Sequence, residues 1–532
     1  MSNTRTHEVD VVVIGCGCAG SCAAIEAFDQ GAQVVVLEKQ PADSHHSNTR
    51  MSGGGFHCPR RDGDPEALRA YAKALFSGVG LPLWLDGGHA PYADELAQIW
   101  AAQAPGNEEF MRGLDPSFKT VSMAGVAFPD FPGAKESGYA VVRSTYTGTR
   151  DEATQFRLTR KLDKSEKESG EAFNACLQTG LRNRNIPIHY DTPASGLITD
   201  AEGAVVGVNA LHCGEPVRYR ARRGVILTSG GYQYNLNMRK AFLDGPSVEG
   251  WAFYGTMANT GDGIRMALKT GAALSRIGSV AGRIIAAVPE RRHGVKVGFN
   301  TNGVGKPNEI VVDSYGRRFA SERRITKDPS RYHFYKEALL FDTIALDYPR
   351  IPSWMVFDED LRSKGPVVRT AAASYHGIDW DDGNLNAIEK GWILKADTLQ
   401  ELAHKIRQHP DNRERMEPGV LEGAIAAYNA HCARGRDTDF DREPDSLGPV
   451  QRPPFYALPL YPGGPNTKGG LSVNAQRQVL DWQDQRIPRL YAAGEIASVF
   501  QFAYQGGGNL AEGIVFGRYA GRMAAAEEPL KD

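Results

Sequence analysis

The first strong pattern along the chain is Val9-Asp10-Val11-Val12-Val13-Ile14, a nearly all-β-branched run that predicts a buried strand. It enters Gly15-Cys16-Gly17-Cys18-Ala19-Gly20, and the small and apolar residues of Ser21–Phe28 follow as a predicted helix. Gln33–Leu37 is a second apolar run and ends at Glu38. Strand, glycine turn, helix and strand within about 30 residues make a βαβ unit. Residues 60–165 read as mostly helical, with Pro- and Gly-broken loops around 78–88 and 128–138. Ser169–Asn183 reads as a helix and Ile186–Tyr190 as a strand. Gly196–Asp200 and Val205–Leu211 alternate about Gly203 as a hairpin would. Gly224–Ser229 is another buried strand meeting a glycine pair, and Asn259–Ile264 starts a further helix.

The texture then changes. After Gly278 glycine thins out and charged and aromatic residues rise until about Pro454. Glycine-rich motifs return at Leu490–Glu495 and Tyr504–Leu510. This predicts an α/β protein whose nucleotide-binding domain is split into residues 1–280 and 455–532, with residues 281–454 inserted as a second domain. In the last predicted helix Gly513, Gly517 and Gly521 share one face, which suits close packing.

Composition narrows the function classes. The 532 residues carry 61 basic and 63 acidic side chains, net −2. Nucleic-acid binding needs a clear cationic excess, so none is expected, and the scattered Arg pairs such as Arg222-Arg223 read as solvated surface. No apolar run is long enough to predict a membrane span. A strand beginning at Val9 leaves no room for a signal peptide, and seven sparse Cys fit a reducing compartment, so a cytoplasmic location is expected. Cys16, Cys18 and Cys22 fall in or beside the glycine turn and read as small packing residues, and no metal is expected. In the turn itself, Gly15 permits the sharp bend, Gly17 admits a pyrophosphate to the backbone, and Gly20 lets helix and strand pack closely. The helix N-terminus supplies N–H groups to the phosphates, and the Glu38 carboxylate suits an adenosine ribose.

Six separated motifs together resemble the succinate dehydrogenase and fumarate reductase flavoprotein superfamily, in that family's order. They are Gly15–Gly20, Asn48–Gly55, Val225–Gly231, Gly261–Gly263, Val311–Phe319 and Leu490–Glu495. The resemblance runs nearly end to end. It implies a Rossmann-type FAD-binding domain with an inserted α+β substrate-capping domain. Carried over residue by residue, the FAD contacts begin with Gly15, Gly17, Cys18, Ala19, Gly20, Glu38 and Lys39. They continue through Asn48, Thr49, Met51, Ser52, Gly53 and Gly54, then Ala194, Ser229, Gly230, Gly231 and Asp262. They end with Gly494, Glu495, Gly508, Asn509 and Leu510. Covalent-flavin members place a His six residues before the second glycine segment's Gly pair; here Asn48 stands there, so the resemblance implies noncovalent FAD.

The subtype follows from two departures. Dicarboxylate enzymes of the superfamily carry a His in the Thr-x-Gly-Gly segment and an Arg before the terminal Gly-Gly-Asn helix. Here the segments read Asn466-Thr467-Lys468-Gly469-Gly470 and Ala503-Tyr504-Gln505-Gly506-Gly507-Gly508-Asn509, without either. Both are similar to the 3-ketosteroid Δ1-dehydrogenase branch. That resemblance implies an enzyme that introduces a C=C bond beside a ketone of a 3-ketosteroid or smaller cyclic ketone. Tyr504 and the Gly508 N–H would hold the ketone oxygen, a base would take the α proton, and the β hydride would pass to flavin N5. For the base, Tyr332 is the first candidate and Arg324 the second, with Tyr146 as a supporting hydroxyl. An external acceptor (a quinone, a dye or oxygen) completes the turnover. The competing readings are a fumarate-reductase-like reductase of an activated alkene acid and a flavoprotein electron-transfer subunit.

Overall fold

The Val9–Ile14 run lies inside a ten-residue strand, Arg5–Ile14, of an eight-stranded sheet in a computed structural model. The structure describes residues 5–77, 92–126, 128–145, 169–243, 245–246, 248–323, 332–369 and 373–530. Arg5–Ile14 pairs in parallel with Val34–Leu37 on one side and Glu215–Leu227 on the other. Ile188–His189 extends the parallel order beyond Val34–Leu37, and Arg486–Ala492 extends it beyond Glu215–Leu227. Val11, Val12 and Val13 have no exposed surface, as expected of a parallel strand covered on both faces. The helix Cys18–Asp29 begins within the glycine turn, three residues earlier than its apolar pattern indicates. The hairpin about Gly203 is present as Ala194–Thr199 against Val205–His212.

The molecule divides into two units. The first comprises Met1–Asn235, Thr256–Ser279 and Thr467–Asp532; the second comprises Leu236–Gly255 and Val280–Asn466. The expected boundary at 454/455 therefore moves. Phe455–Gly464 lies inside the second unit's sheet, antiparallel to Arg283–Arg292, Ser353–Asp358 and Leu394–Ala396. Every one of its ten residues is buried, so its apolar run belongs to that sheet's centre. Ala252–Phe253 joins the same sheet, which takes residues 236–255 out of the first unit.

The reading of 60–165 as mostly helical needs correction over its described residues; the loop expected around 78–88 lies outside them. The helices Pro65–Ser77, Ala93–Gln103 and Asn107–Leu114 are there, but a three-stranded sheet runs Gly55–His57, Val141–Thr145, Lys119–Ala124. Lys119–Ala124 hid from the pattern because Val121 and Met123 stay exposed, so no apolar face marks it. The Arg pairs are not simply solvated: Arg222 and Arg223 both reach buried Asp10. In the second unit Arg318 pairs with Glu322 at 2.7 Å and Asp437 at 2.8 Å, and Arg442 pairs with Glu309 at 2.8 Å, all buried. Among the described residues no helix is long and apolar enough to cross a membrane.

Both ends of the chain meet in the first unit. The last helix, Gly508–Ala525, lies on Cys18–Asp29 with Gly513, Gly517 and Gly521 at the seam. A Cβ on Gly513 would sit 2.6 Å from Cys18 Sγ, one on Gly517 2.5 Å from Ala19 O, and one on Gly521 2.3 Å from Ala23 O. The two backbone oxygens cannot move without separating the helices. Gly517→Ala is expected to cost about 1–3 kcal/mol and lower the thermal midpoint. Gly423→Ala, in the helix Pro418–Arg434 with nothing within 4 Å, is the control and should not destabilise. Equal midpoints for the two variants would contradict this account.

Candidate functional site

The glycine turn builds an anion cradle. Gly15 has φ +105°, and a Cβ there would meet Thr228 O at 2.7 Å. A Cβ on Gly20 would fall 1.9 Å from Gly15 O, so the helix packs on the turn itself. At Gly17 a Cβ would meet only Thr49 Oγ1, at 3.6 Å, and the space above this residue is open. Cys18 N–H donates to Thr49 Oγ1 at 2.8 Å, and the first turn carries no acidic side chain. First-turn N–H groups lack intrahelical acceptors and attract an anion. The three cysteines are buried. Burial first, then the Glu38 charge, pushes the Cys16 thiol up to about 12, which fits a packing role.

Glu38 ends the second strand as expected. Its Oε2 accepts from Cys16 N–H at 3.0 Å, and its Oε1 accepts from Gln40 N–H at 2.9 Å. His45 Nε2 lies 3.5 Å from Oε2. Burial works to raise this carboxyl, but His45 and the two N–H groups outweigh it and hold it down at about 2. Lys39 and Asp262, both expected at the cofactor, pair with each other at 2.6 Å, and Lys39 also donates to Thr260.

A second cluster forms around Glu495. Asn48 Nδ2 donates to it at 3.0 Å and Asn259 Nδ2 at 3.1 Å, while Thr256 N–H donates to Asn48 Oδ1 at 2.7 Å. A Cβ on Gly231 would lie 2.1 Å from Thr467 Oγ1 and 2.2 Å from Glu495 Oε1. Burial pushes the Glu495 carboxyl up to about 8 against the amide donors and Lys468. Gly494, at φ +78°, approaches Ala19, which joins this cluster to the phosphate helix. The short helix Asn48–Met51 is capped by Ser47 and anchored by a buried Arg50–Glu171 pair at 2.8 Å. Met51 is buried, Ser52 Oγ donates to Thr49 O, Gly54 takes φ +64°, and a Cβ on Gly53 would meet nothing. Ala194 opens a half-buried strand of the sheet. The Ser229 hydroxyl beside Gly230 is buried without a hydrogen-bond partner.

These residues fit FAD. An open, acid-free helix N-terminus suits the pyrophosphate, a fixed carboxylate suits the ribose, and the buried Ser229 hydroxyl, next to the Gly230-Gly231 pair, is left without a protein partner among the described residues.

The Tyr504 loop precedes the last helix. Tyr504 is buried, and its ring meets Phe500 edge-on at 6.0 Å. Lys468 Nζ lies 4.9 Å from the Tyr504 ring centroid and is held by Ser498 Oγ at 2.9 Å and Glu512 at 2.8 Å. This buried ion pair spans 44 positions of sequence and nothing local announces it. One expectation changes here. The Gly508 N–H, expected as a second donor to a ketone, donates to Gln505 O at 3.0 Å in the turn that closes onto the helix. Any further acceptor has to share or displace that bond. Asn509 and Leu510, expected at the cofactor, lie in the first turn of the helix Gly508–Ala525. Tyr332 opens the helix Tyr332–Ala338 of the second unit. Arg324 and Tyr146 lie outside the described residues.

His431, Asp437 and Asp439 have metal-like spacing. However, His431 Nδ1 accepts from Arg434, so Nε2 keeps the proton that faces Asp439 at 3.0 Å.

Comparison with known proteins adds the family. A model described as FAD binding domain matches residues 10–510. The 3-oxosteroid 1-dehydrogenase of Mycolicibacterium smegmatis is 29% identical, over 98% of this chain and 98% of its own. A probable fumarate reductase of Shewanella frigidimarina is 27% identical, over 98% of this chain and 75% of its own. The crystal structure of 3-ketosteroid Δ1-dehydrogenase from Sterolibacterium denitrificans shares the fold, with TM-score 0.78 and 24% identity over 98% of this chain and 99% of that one.

FAD is thus the cofactor. Because Asn48 is committed to Glu495 and Thr256, and His45 to Glu38, acid precipitation is expected to release the flavin into the supernatant. Colour retained in the pellet would contradict a noncovalent cofactor. Glu38 sets a pH window. Its folded value of about 2 lies below the ordinary 4.5, so its stabilisation is complete above pH 4.5 and is lost as pH falls toward 2. Glu38→Gln should therefore lose less stability across that interval than wild type; parallel acid-unfolding curves would refute it.

Proposed function

We propose that this chain, which belongs to the FAD binding domain family and is an FAD-dependent oxidoreductase, desaturates a ketone, the substrate being a 3-ketosteroid or a smaller cyclic ketone. The observation that carries this reading is the chemistry at Tyr504. The donor there is an uncharged hydroxyl. Lys468, the cation at its ring, is committed to Glu512 and Ser498 and is not available to clamp a carboxylate. Dicarboxylate recognition needs charge-assisted donors. A ketone oxygen needs only a positioned hydrogen-bond donor, most valuable where charge develops in a water-poor site. The 3-oxosteroid 1-dehydrogenase relative supports the same substrate class.

In this reading Tyr504 O–H donates to the ketone oxygen and acidifies the adjacent C–H. Gly508 N–H assists by sharing its bond to Gln505. A base takes the α proton; Tyr332 is the first candidate, Arg324 the second, and Tyr146 a supporting hydroxyl. Bound FAD supplies the two-electron acceptor for the β hydride. Gly15, Gly17 and Gly20, with Glu38 and the Asn48–Glu495 cluster, bind and orient the cofactor. The second unit serves as the substrate cap.

Anaerobic mixing with a 3-ketosteroid such as 4-androstene-3,17-dione is expected to bleach the flavin. Tyr504→Phe should retain FAD and slow flavin reduction by ~10²–10³, or about 2.7–4 kcal/mol. A reduction rate within about threefold of wild type, about 0.7 kcal/mol, would remove the hydroxyl from the reaction. Reduced flavin reoxidised only by an alkene acid would instead make the protein a reductase.

A further inference from the structure

Beneath the Tyr504–Gly508 loop lies a buried polar chain that neither the cofactor contacts nor the ketone chemistry uses. His57 ends the strand Gly55–His57 and has no exposed surface. Its backbone N–H donates to Gly507 O at 3.3 Å, and its Nε2 faces Gly506 O at 3.2 Å. A carbonyl has no proton to offer, so Nε2 carries the proton and donates it. Burial, the largest effect, holds the imidazole down at about 3, so the ring is neutral and Nδ1 is bare. The Tyr139 hydroxyl lies against Nδ1 and must be the donor there. Only one tautomer satisfies both neighbours.

The consequence is mechanical. One residue holds two successive carbonyls of the loop. Gly507, at φ +94°, leaves no slack: a Cβ there would meet Val141 Cγ1 at 3.0 Å and His57 Cδ2 at 3.1 Å. The Gln505 side chain is gripped as well, with Tyr71 O–H donating to its Oε1 at 2.8 Å and its Nε2 donating to Gly125 O at 3.0 Å. Asn107 Nδ2 donates to His57 O at 2.9 Å and ties down the base of the assembly. Tyr504 is the residue immediately before these gripped peptides.

We propose that His57, fixed as the Nε2–H tautomer by Tyr139, is the positioning residue that aims the Tyr504 hydroxyl; the proposal rests on the ketone-polarising reading of Tyr504. Holoenzymes carrying His57→Phe, His57→Gln, Tyr504→Phe and the His57→Phe/Tyr504→Phe pair test it by rapid flavin reduction with 4-androstene-3,17-dione. His57→Phe should keep FAD and leave substrate affinity within about threefold while lowering the reduction rate about 10²-fold, the scale of a misplacement near 1 Å. His57→Gln, which keeps an amide donor for Gly506, should recover part of the rate. In the Tyr504→Phe background His57→Phe should add less than about threefold, because the group it aims is absent. Additive losses, or a His57→Phe rate like wild type, would overturn the proposal while a slow Tyr504→Phe keeps the ketone reading. A normal Tyr504→Phe rate would overturn both. Should His57→Phe not fold, 15N-histidine spectra of the wild-type holoenzyme decide. The Nε2–H tautomer throughout the neutral range is expected, and the opposite tautomer or a titration there would overturn it.

Discussion

Two helices from opposite ends of the chain approach until side chain and backbone of one touch bare backbone of the other, and the first unit depends on that contact. Gly513, Gly517 and Gly521 meet Cys18, Ala19 and Ala23 with no space for a Cβ. Interiors are close-packed and do not absorb such atoms cheaply. The helix Cys18–Asp29 begins in the phosphate turn, and the helix Gly508–Ala525 begins directly after the Tyr504 loop. Pressing them together places the anion cradle and the proposed ketone donor in one packed unit.

Burial of charge is the second constraint, and it is met in three ways. Glu38 is surrounded by donors and stays ionised far below the usual carboxylate range. Glu495 meets neutral amides, and burial drives it toward the protonated form. Lys468 is paired directly with Glu512 and Ser498. An isolated buried charge is costly, so each arrangement answers the same penalty with different partners. The last has chemical weight in the proposed reading: it commits to Glu512 and Ser498 the cation that lies against the Tyr504 ring.

Legibility from the sequence tracked the range of the interactions. The βαβ unit at residues 9–38 was readable because its strand, turn, helix and carboxylate are local and each has its own residue signature. The helix Ser169–Asn183 was readable to the residue from its apolar spacing. The sheet at 55–57, 119–124 and 141–145 was not, since its strands are short and one exposes its apolar residues. The boundary near 455 was misplaced because an apolar run looks the same in either unit; only its strand partners assign it.

The sequence by itself carried the cofactor class: a glycine turn between strand and helix, and a carboxylate at the end of the next strand; its resemblance to the flavoprotein superfamily added a terminal segment with no Arg before Gly507-Gly508-Asn509 and a Thr-Lys-Gly-Gly segment with no His. The turn and the carboxylate are residue types at fixed spacing, and spacing along a chain is local information. Tertiary structure alone decided which polar groups remain available. It committed the Gly508 N–H to Gln505, Lys39 to Asp262, and Asn48 to Glu495 and Thr256. It also brought His57 beneath a loop some 450 residues away. Hydrogen bonds saturate and act over about 3 Å, so a donor's role depends on the neighbour that folding supplies, which no stretch of sequence records.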